Sequence, residues 1–244
     1  MTTALGSRKT AASLSVDRLD WAAIAAELDG NGCAVIGPLL DPTSCHRLAG
    51  LYAAEAPFRS RIVMSRHGFG RGEYKYFAYP LPSPIAALRA DLYRPLAAIA
   101  NRWHEQMRSE VRFPAEHAAF LARCHAAGQL KPTPLLLQYT AGDYNCLHQD
   151  VYGELVFPLQ VAILLSEPVS DFSGGEFVLT EQRPRMQSRV EVAPLRQGEG
   201  VVFPVRERPV NGTRGVYRVN MRHGVSRLRS GRRHTLGVIF HDAR

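Results

Sequence analysis

From Pro132 onward the chain breaks into short β-prone runs separated by glycine and proline, and this rhythm constrains the fold more than any other feature. The runs are Leu135 to Thr140, Phe157 to Leu165, Glu176 to Thr180, Arg189 to Leu195, Gly200 to Val205, Tyr217 to Met221, His223 to Leu228 and Thr235 to Phe240. Turn formers bound them, as expected for strands joined by tight connections. Eight strands of this kind predict a sandwich or jelly roll over residues 132–244. No internal repeat or low-complexity tract interrupts them.

The chain before Pro132 reads as helical. Asp20 to Leu28 combines strong helix formers with apolar residues at helical spacing, and Asp29-Gly30-Asn31-Gly32 stops it. A short strand, Cys33 to Ile36, follows. Pro42-Thr43-Ser44 starts a second helix that runs to Tyr52. Pro84 to Met107 predicts a third, with Leu88, Leu92, Leu96 and Ile99 on one face and Pro95 expected to kink or split it. Residues 1–15 read as a disordered tail, and residues 16–131 as a helical portion forming one structural unit with the β core. The expected class is α+β with a mainly β core buttressed by N-terminal helices.

A chain of 244 residues, 45% hydrophobic and 21% charged, can bury a sizeable single core. No apolar run reaches the roughly 18 residues of a membrane span, and the N-terminal stretch lacks the apolar region of a secretory signal. A cytoplasmic protein with no membrane partner is expected. Cys33, Cys45, Cys124 and Cys146 form no CxxC and no zinc spacing, which suits a reducing compartment. Cys146 is expected as a buried structural thiol.

The net charge of +8 comes from 30 basic against 22 acidic residues. Only Lys9, Lys75 and Lys131 are lysines, and a GC-rich genome produces such an arginine bias without any partner. Arg214, Arg218, Arg222, Arg227, Arg229, Arg232 and Arg233 nevertheless crowd a C-terminal stretch poor in acids, and strand alternation sets several on one exposed face. From charge, DNA or RNA is one expected partner.

The chemistry-bearing residues fall on this map in an ordered way. In an extended chain, residues two apart face the same way, so His148 and Asp150 can aim an imidazole and a carboxylate at one metal. His223 from another strand supplies a third ligand. Two histidines and a carboxylate on one face of an octahedral ion leave the opposite face open, the donor set of non-haem Fe(II) oxygenases. On the last strand, alternation puts Arg233, Thr235, Gly237 and Ile239 on one face and His234, Leu236, Val238 and Phe240 on the other. Arg233 with Thr235 makes a donor pair for a carboxylate.

His148-Gln149-Asp150, His223, Arg233 and Thr235, in that order, resemble the Fe(II)- and 2-oxoglutarate-dependent oxygenases with a double-stranded β-helix core. Trp21 to Leu51 is similar to the helix, strand and helix that often precede such cores. The resemblance implies that His148, Asp150 and His223 bind Fe(II) and that Arg233 and Thr235 hold the far carboxylate of 2-oxoglutarate. It also implies that Tyr139 donates its phenol to that co-substrate. The implied reaction consumes O2 and couples decarboxylation of 2-oxoglutarate, to succinate and CO2, with hydroxylation or oxidative demethylation of a second substrate.

The ten residues from His223 to Arg233 resemble the prolyl-hydroxylase-like branch. Alkylation-repair demethylases carry their arginines after the distal histidine, whereas Arg218-Val219-Asn220-Met221-Arg222 precedes it here. The stretch Asn145 to Asp242, with HQDVYGELVFPLQ, GGEFVLTEQRPRMQSRVEV and YRVNMRHGVSRLRSGRRHTLG, also resembles a bacterial group of these oxygenases proposed to oxidise damaged nucleic acid. Alkylated nucleic acid is the leading substrate expectation, with a peptide (prolyl-type) hydroxylase as the alternative. A non-enzymatic jelly roll or cupin-type metal protein is the third, although Asp150 stands where a cupin has its second histidine. His67 to Phe77, with glycines, aromatic rings and cations, reads either as a base-stacking loop over the mouth or as an ordinary hairpin. Tyr152, Glu154 and Arg183-Pro184-Arg185 are further candidates for the pocket rim.

Overall fold

The computed structural model describes residues 16–151, 153–213 and 215–244. The tail expected at residues 1–15, together with Tyr152 and Arg214, lies outside the described residues. The first part of the chain forms α1 (Trp21–Asn31), β1 (Ala34–Ile36), α2 (Pro42–Gly50), β2 (Phe58–Val63), β3 (Gly70–Arg71), β4 (Glu73–Phe77), α3 (Ser83–Gln106) and α4 (His117–Ala126). Then come β5 (Leu135–Thr140), β6 (Tyr144–His148), β7 (Leu159–Leu164), β8 (Phe172–Gly174) and β9 (Phe177–Gln182). β10 (Arg189–Ala193), β11 (Gly200–Pro204), β12 (Glu207–Gly212), β13 (Gly215–Val225) and β14 (Leu228–Val238) complete it.

Local chemistry sets the helix limits. The Asp20 carboxylate accepts from the Ala22 and Ala23 amides at 3.1 and 3.0 Å, and Asp41 accepts from Ser44 at 2.7 Å, so each caps its helix. In α3 the apolar stripe of Leu88, Leu92, Leu96 and Ile99 is buried on both sides of Pro95. The helix is not split at that proline, because packing of the stripe outweighs the one backbone hydrogen bond that proline removes.

The strands form two antiparallel sheets. The larger has the order β1-β11-β7-β14-β5-β4-β2 with β8 attached to β14; the smaller has the order β10-β9-β13-β6-β3 with β12 attached to β13. Beyond β5 the chain alternates between them, with β5, β7, β11 and β14 in the large sheet and β6, β9, β10 and β13 in the small one. This is a double-stranded β-helix. The helices cover the outer face of the large sheet, where Leu159, Val161, Ile163, Leu236, Val238 and Phe240 join Leu88, Leu92 and Trp103 in one apolar cluster. A second cluster, with Ala162, Leu164, Leu179, Phe203 and Met221, fills the space between the sheets. With both faces covered, β7 is buried at every residue.

Several boundaries differ from the sequence reading. The first half is not purely helical: β2 and β4 extend the large sheet and β3 pairs with β6 in the small one. In β4 the Lys75 ammonium hides this strand from a hydropathy reading. It is 4% exposed because the Tyr52 and Ala54 carbonyls and the Glu55 carboxylate accept its protons at 2.7 to 3.1 Å. The runs expected at Tyr217 to Met221 and at His223 to Leu228 merge, up to Val225, into the single strand β13, and β14 begins at Leu228, ahead of Thr235.

A buried arginine joins the helical layer to the end of the large sheet. Arg89 of α3 pairs with Asp242 at 2.7 Å and donates to the Ile239 and His241 carbonyls at 2.7 and 3.0 Å. Tyr79 and His125 complete the coordination of Asp242, each at 2.8 Å. Beside this cluster, His117 donates to the Phe240 carbonyl at 2.8 Å. No helix among the described residues is long and apolar enough to cross a membrane.

Burial, aided by Arg89 for His117 and by Arg232 for His234, pushes both imidazoles down from 6.5 to about 4. Between those values the unfolded chain takes up protons that the fold excludes. Stability is therefore full above pH 6.5 and falls as the pH drops toward 4. Urea-unfolding midpoints measured across that interval should decline with acid, and His117→Gln should flatten the decline.

Candidate functional site

His148 ends β6, Asp150 follows it in the next loop, and His223 lies opposite His148 in the β13 ladder. Strand pairing thus brings together imidazoles far apart in sequence. The ladder has a bulge, with His223 opposite His148 but Val225 opposite Asn145, so three steps on β6 match two on β13. Gly224 permits it: a Cβ there would stand 2.7 Å from the Asn145 carbonyl oxygen. Asn145 and His148 consequently both face inward, while Cys146 and Leu147 turn outward. The expected buried Cys146 is in fact an exposed thiol, because the bulge breaks the alternation that would have set it on the same face as His148.

One ligand atom from each of His148, Asp150 and His223 lies within 4.8 Å of the others. Asp150 Oδ1 is 3.4 Å from His148 Nε2, and Asp150 Oδ2 is 3.3 Å from His223 Nε2. His148 Nδ1 donates to the Cys146 carbonyl at 2.8 Å, which leaves its Nε2 lone pair facing Asp150. The Gln149 side chain donates to the Arg206 and Met221 carbonyls at 3.0 and 2.8 Å, anchoring the loop between the ligands.

Electrostatics separates the two histidines. Burial opposes charge on His148, but hydrogen bonding and attraction to Asp150 raise its pKa overall. Burial prevails at His223, which packs between Phe177 and Phe203 at ring separations of 5.9 and 4.6 Å, and lowers its pKa. Burial would raise the Asp150 pKa, yet its bonds to both imidazoles hold it well below the ordinary carboxylate value. The cluster is an anionic carboxylate between two imidazole nitrogens, the donor chemistry of a divalent transition metal.

The three residues line one wall of a cavity of about 210 Å³ between the sheets. Arg233, Thr235 and Tyr139 line it too, as do Gly237 and Ile239 on the β14 face expected to point inward. Arg233 is 1% exposed and stands opposite Tyr139 in the ladder. It donates to the Thr235 hydroxyl at 2.6 Å, and its Nε has no partner. The Tyr139 hydroxyl, beside Asn145, likewise lacks a hydrogen bond of good geometry. Among the described residues two other arginines are buried, Arg89 on Asp242 and Arg208 on Glu181. No carboxylate among the described residues pairs with Arg233, and burial pushes its pKa down to about 10. An unpaired guanidinium facing an enclosed cavity is built to receive an anion.

Sequence reasoning missed Gln160, which donates to Asp150 Oδ2 at 2.9 Å and lies 3.4 Å from His223 Nε2. The signal was present: Gln160 is the one polar residue in the fully buried strand LQVAIL. Phe177 and Phe203 were also missed, because aromatic residues in strands are ordinarily core. Other candidates fall elsewhere. Glu154 faces solvent and pairs with Arg244 at 2.6 Å, and Arg183 pairs with Glu181 at 2.6 Å, so neither lines the cavity. His234 lies on the outer face beside Tyr52, away from His148. The segment from His67 to Phe77 forms paired strands, and two of its rings, Phe69 and Tyr74, line the cavity.

Residues 72–243 match a family model described as an oxygenase catalysing oxidative methylation of damaged DNA. An uncharacterized protein of Mycobacterium tuberculosis is 47% identical over 203 residues, covering 81% of this chain and 87% of the relative. Among solved structures, a 2OG-Fe(II) oxygenase family oxidoreductase from Burkholderia pseudomallei is similar at TM-score 0.55 and 15% identity, over 93% of both chains. A prolyl hydroxylase from Trichoplax adhaerens, solved with a hypoxia inducible factor peptide fragment, is similar at TM-score 0.53 and 14% identity, over 90% of this chain and 88% of that one. At such identity these two structures establish the fold.

Removing the unpaired charge should relieve a desolvation cost. Arg233→Met is expected to raise the stability of the ligand-free protein by roughly 1–3 kcal/mol in urea unfolding, the opposite of the usual result for a buried residue.

Proposed function

The chain belongs to this oxygenase family, and from that premise we propose that it is an Fe(II)- and 2-oxoglutarate-dependent dioxygenase acting on alkylated nucleic acid. The observation that carries the reading is a single cavity with an acid-free, buried Arg233 on one wall and the His148, Asp150 and His223 cluster on another. His148 and His223 would bind the metal as neutral imidazoles and Asp150 as a carboxylate. With 2-oxoglutarate and O2, the bound iron would supply an oxidant for a C–H bond while the co-substrate leaves as succinate and CO2.

The side chains divide the remaining work. Arg233 offers a planar fork to the distant carboxylate of 2-oxoglutarate, with the Thr235 hydroxyl free to donate beside it. The Tyr139 hydroxyl is a further donor, and its lack of an internal hydrogen bond of good geometry fits that role. Gln160 donates to Oδ2 of Asp150 and so helps to orient the carboxylate that would bind the metal. Phe177 and Phe203 wall the inner side and keep water from His223. Free thiols at all four cysteines accord with a cytoplasmic setting.

The family description favours nucleic acid as substrate. The ten-residue interval from His223 to Arg233 favours a second reading, a peptide hydroxylase. Succinate release from 2-oxoglutarate by Fe(II)-loaded protein, screened against alkylated oligonucleotides and peptide pools, tests both. Stimulation by oligonucleotides and not by peptides is expected, and the reverse result would replace the first reading with the second. His148→Ala should abolish calorimetric Co(II) binding. Arg233→Met should weaken 2-oxoglutarate binding about 10- to 100-fold, the range for a lost charge-assisted pair of hydrogen bonds. Succinate formation absent under every condition, with metal binding unchanged in His148→Ala, would refute the assignment.

A further inference from the structure

We propose that Phe69 is the specificity-determining residue of this site, a platform on which one unpaired nucleobase stacks beside His148. The inference rests on the oxygenase reading above and adds the residue that selects the substrate. His148 is the ligand open to the outside: its side chain is 34% exposed, against 12% for Asp150 and 8% for His223. Substrate therefore reaches the metal from the His148 side. Phe69 lines the cavity and is 47% exposed, whereas every other phenylalanine among the described residues is buried or half-buried. The His67 ring stacks against it at 5.3 Å and 24°, so its flat face is braced.

The position of Phe69 is tied to the metal site through one residue. The Cys146 amide donates to the Phe69 carbonyl at 2.9 Å, and the Cys146 carbonyl accepts from His148 Nδ1 at 2.8 Å. Next to Phe69, Gly70 pairs with Asn145 and Arg71 with Tyr144. Gly70 has φ +123°, and a side chain there would collide with the Tyr144 carbonyl, so only glycine lets β3 lie this close to the ligand-bearing strand. A ring resting on Phe69 is held in register with His148.

The surroundings identify the kind of ring. Ser65 to Gly72 carries Arg66, His67 and Arg71 and no acid, and all three side chains are exposed. Tyr144, across from Arg71, is 38% exposed. Exposed aromatic faces between cations suit bases strung on a phosphate backbone, whereas an aromatic peptide side chain would leave those cations without a role.

Protein loaded with Mn(II) and 2-oxoglutarate without O2, titrated with a single-stranded oligonucleotide containing 2-aminopurine, tests this directly. Stacking should quench the base's fluorescence in the unaltered protein and in Phe69→Trp. Phe69→Leu, which keeps an apolar side chain but removes the ring, should lose the quenching and bind the oligonucleotide about ten-fold more weakly. The calorimetric 2-oxoglutarate affinity of Phe69→Leu should match that of the unaltered protein, which a merely misfolded variant would not show. Equal oligonucleotide affinity and quenching in Phe69→Leu would overturn the platform. Unaltered protein that binds 2-oxoglutarate but not the oligonucleotide would overturn this inference and the nucleic-acid substrate while leaving the oxygenase chemistry standing, whereas failure to bind 2-oxoglutarate would overturn the oxygenase reading with it.

Discussion

The two-residue period of β14 governs both the core and the site. This strand lies between β5 and β7 in the large sheet, with Thr235 opposite Leu137 on one side and Leu164 on the other. One face sends Leu236 and Val238 into the cluster beneath the helices, with Phe240 just beyond the strand. The other presents Arg233, Thr235 and Gly237 to the cavity. A slip of one residue would drive a guanidinium into hydrocarbon and expose leucine to the cavity. Burial of the apolar face therefore fixes the register that aims the cation. Arg89 secures the same strand at its far end by holding the Ile239 carbonyl and Asp242.

Comparison of the buried arginines separates architecture from function. Arg89 and Arg208 each have a buried carboxylate and several carbonyls, so their charges are satisfied within the chain. Arg208 thereby joins the end of α1, through the Asp29 carbonyl, to Glu181 of the small sheet. Arg233 has a hydroxyl and the rings of Tyr139 and Phe172, each 5.8 Å away, but no opposite charge. Aromatic faces moderate the desolvation of a cation without cancelling it. The difference lies in the partner set, since all three arginines are equally buried.

Much of this was legible in the sequence. β5 has the limits that its apolar run predicts, and the division of β14 into two faces follows from alternation alone. The order of His148, Asp150, His223 and Arg233 pointed to a cavity that the fold assembles. What stayed hidden depends on contacts distant in sequence. β2 and β4 look unlike core strands because Arg61 and Glu73 pair across the hairpin and Lys75 is neutralised by α2's neighbours Tyr52, Ala54 and Glu55. The bulge that turns Cys146 outward arises from the pairing of β6 with β13, which no window around Cys146 contains.

The net charge of +8 gives a poor measure of the surface offered to a polyanion. Arg208 and Arg233 are buried, and Arg61, Arg94, Arg102, Arg183 and Arg244 each engage an acid. Arg218 and Arg222 do share the outer face of β13, as alternation required, but Glu207 partly neutralises the first at 3.0 Å. Local placement matters more than the total. Arg66 and Arg71 flank Phe69 in sequence, in a stretch from Ser65 to Gly72 without acids, and Phe69 lines the same cavity as His148. Screening confines the influence of an exposed charge to about a Debye length, so these few cations act on whatever approaches Phe69, while a diffuse excess elsewhere does not.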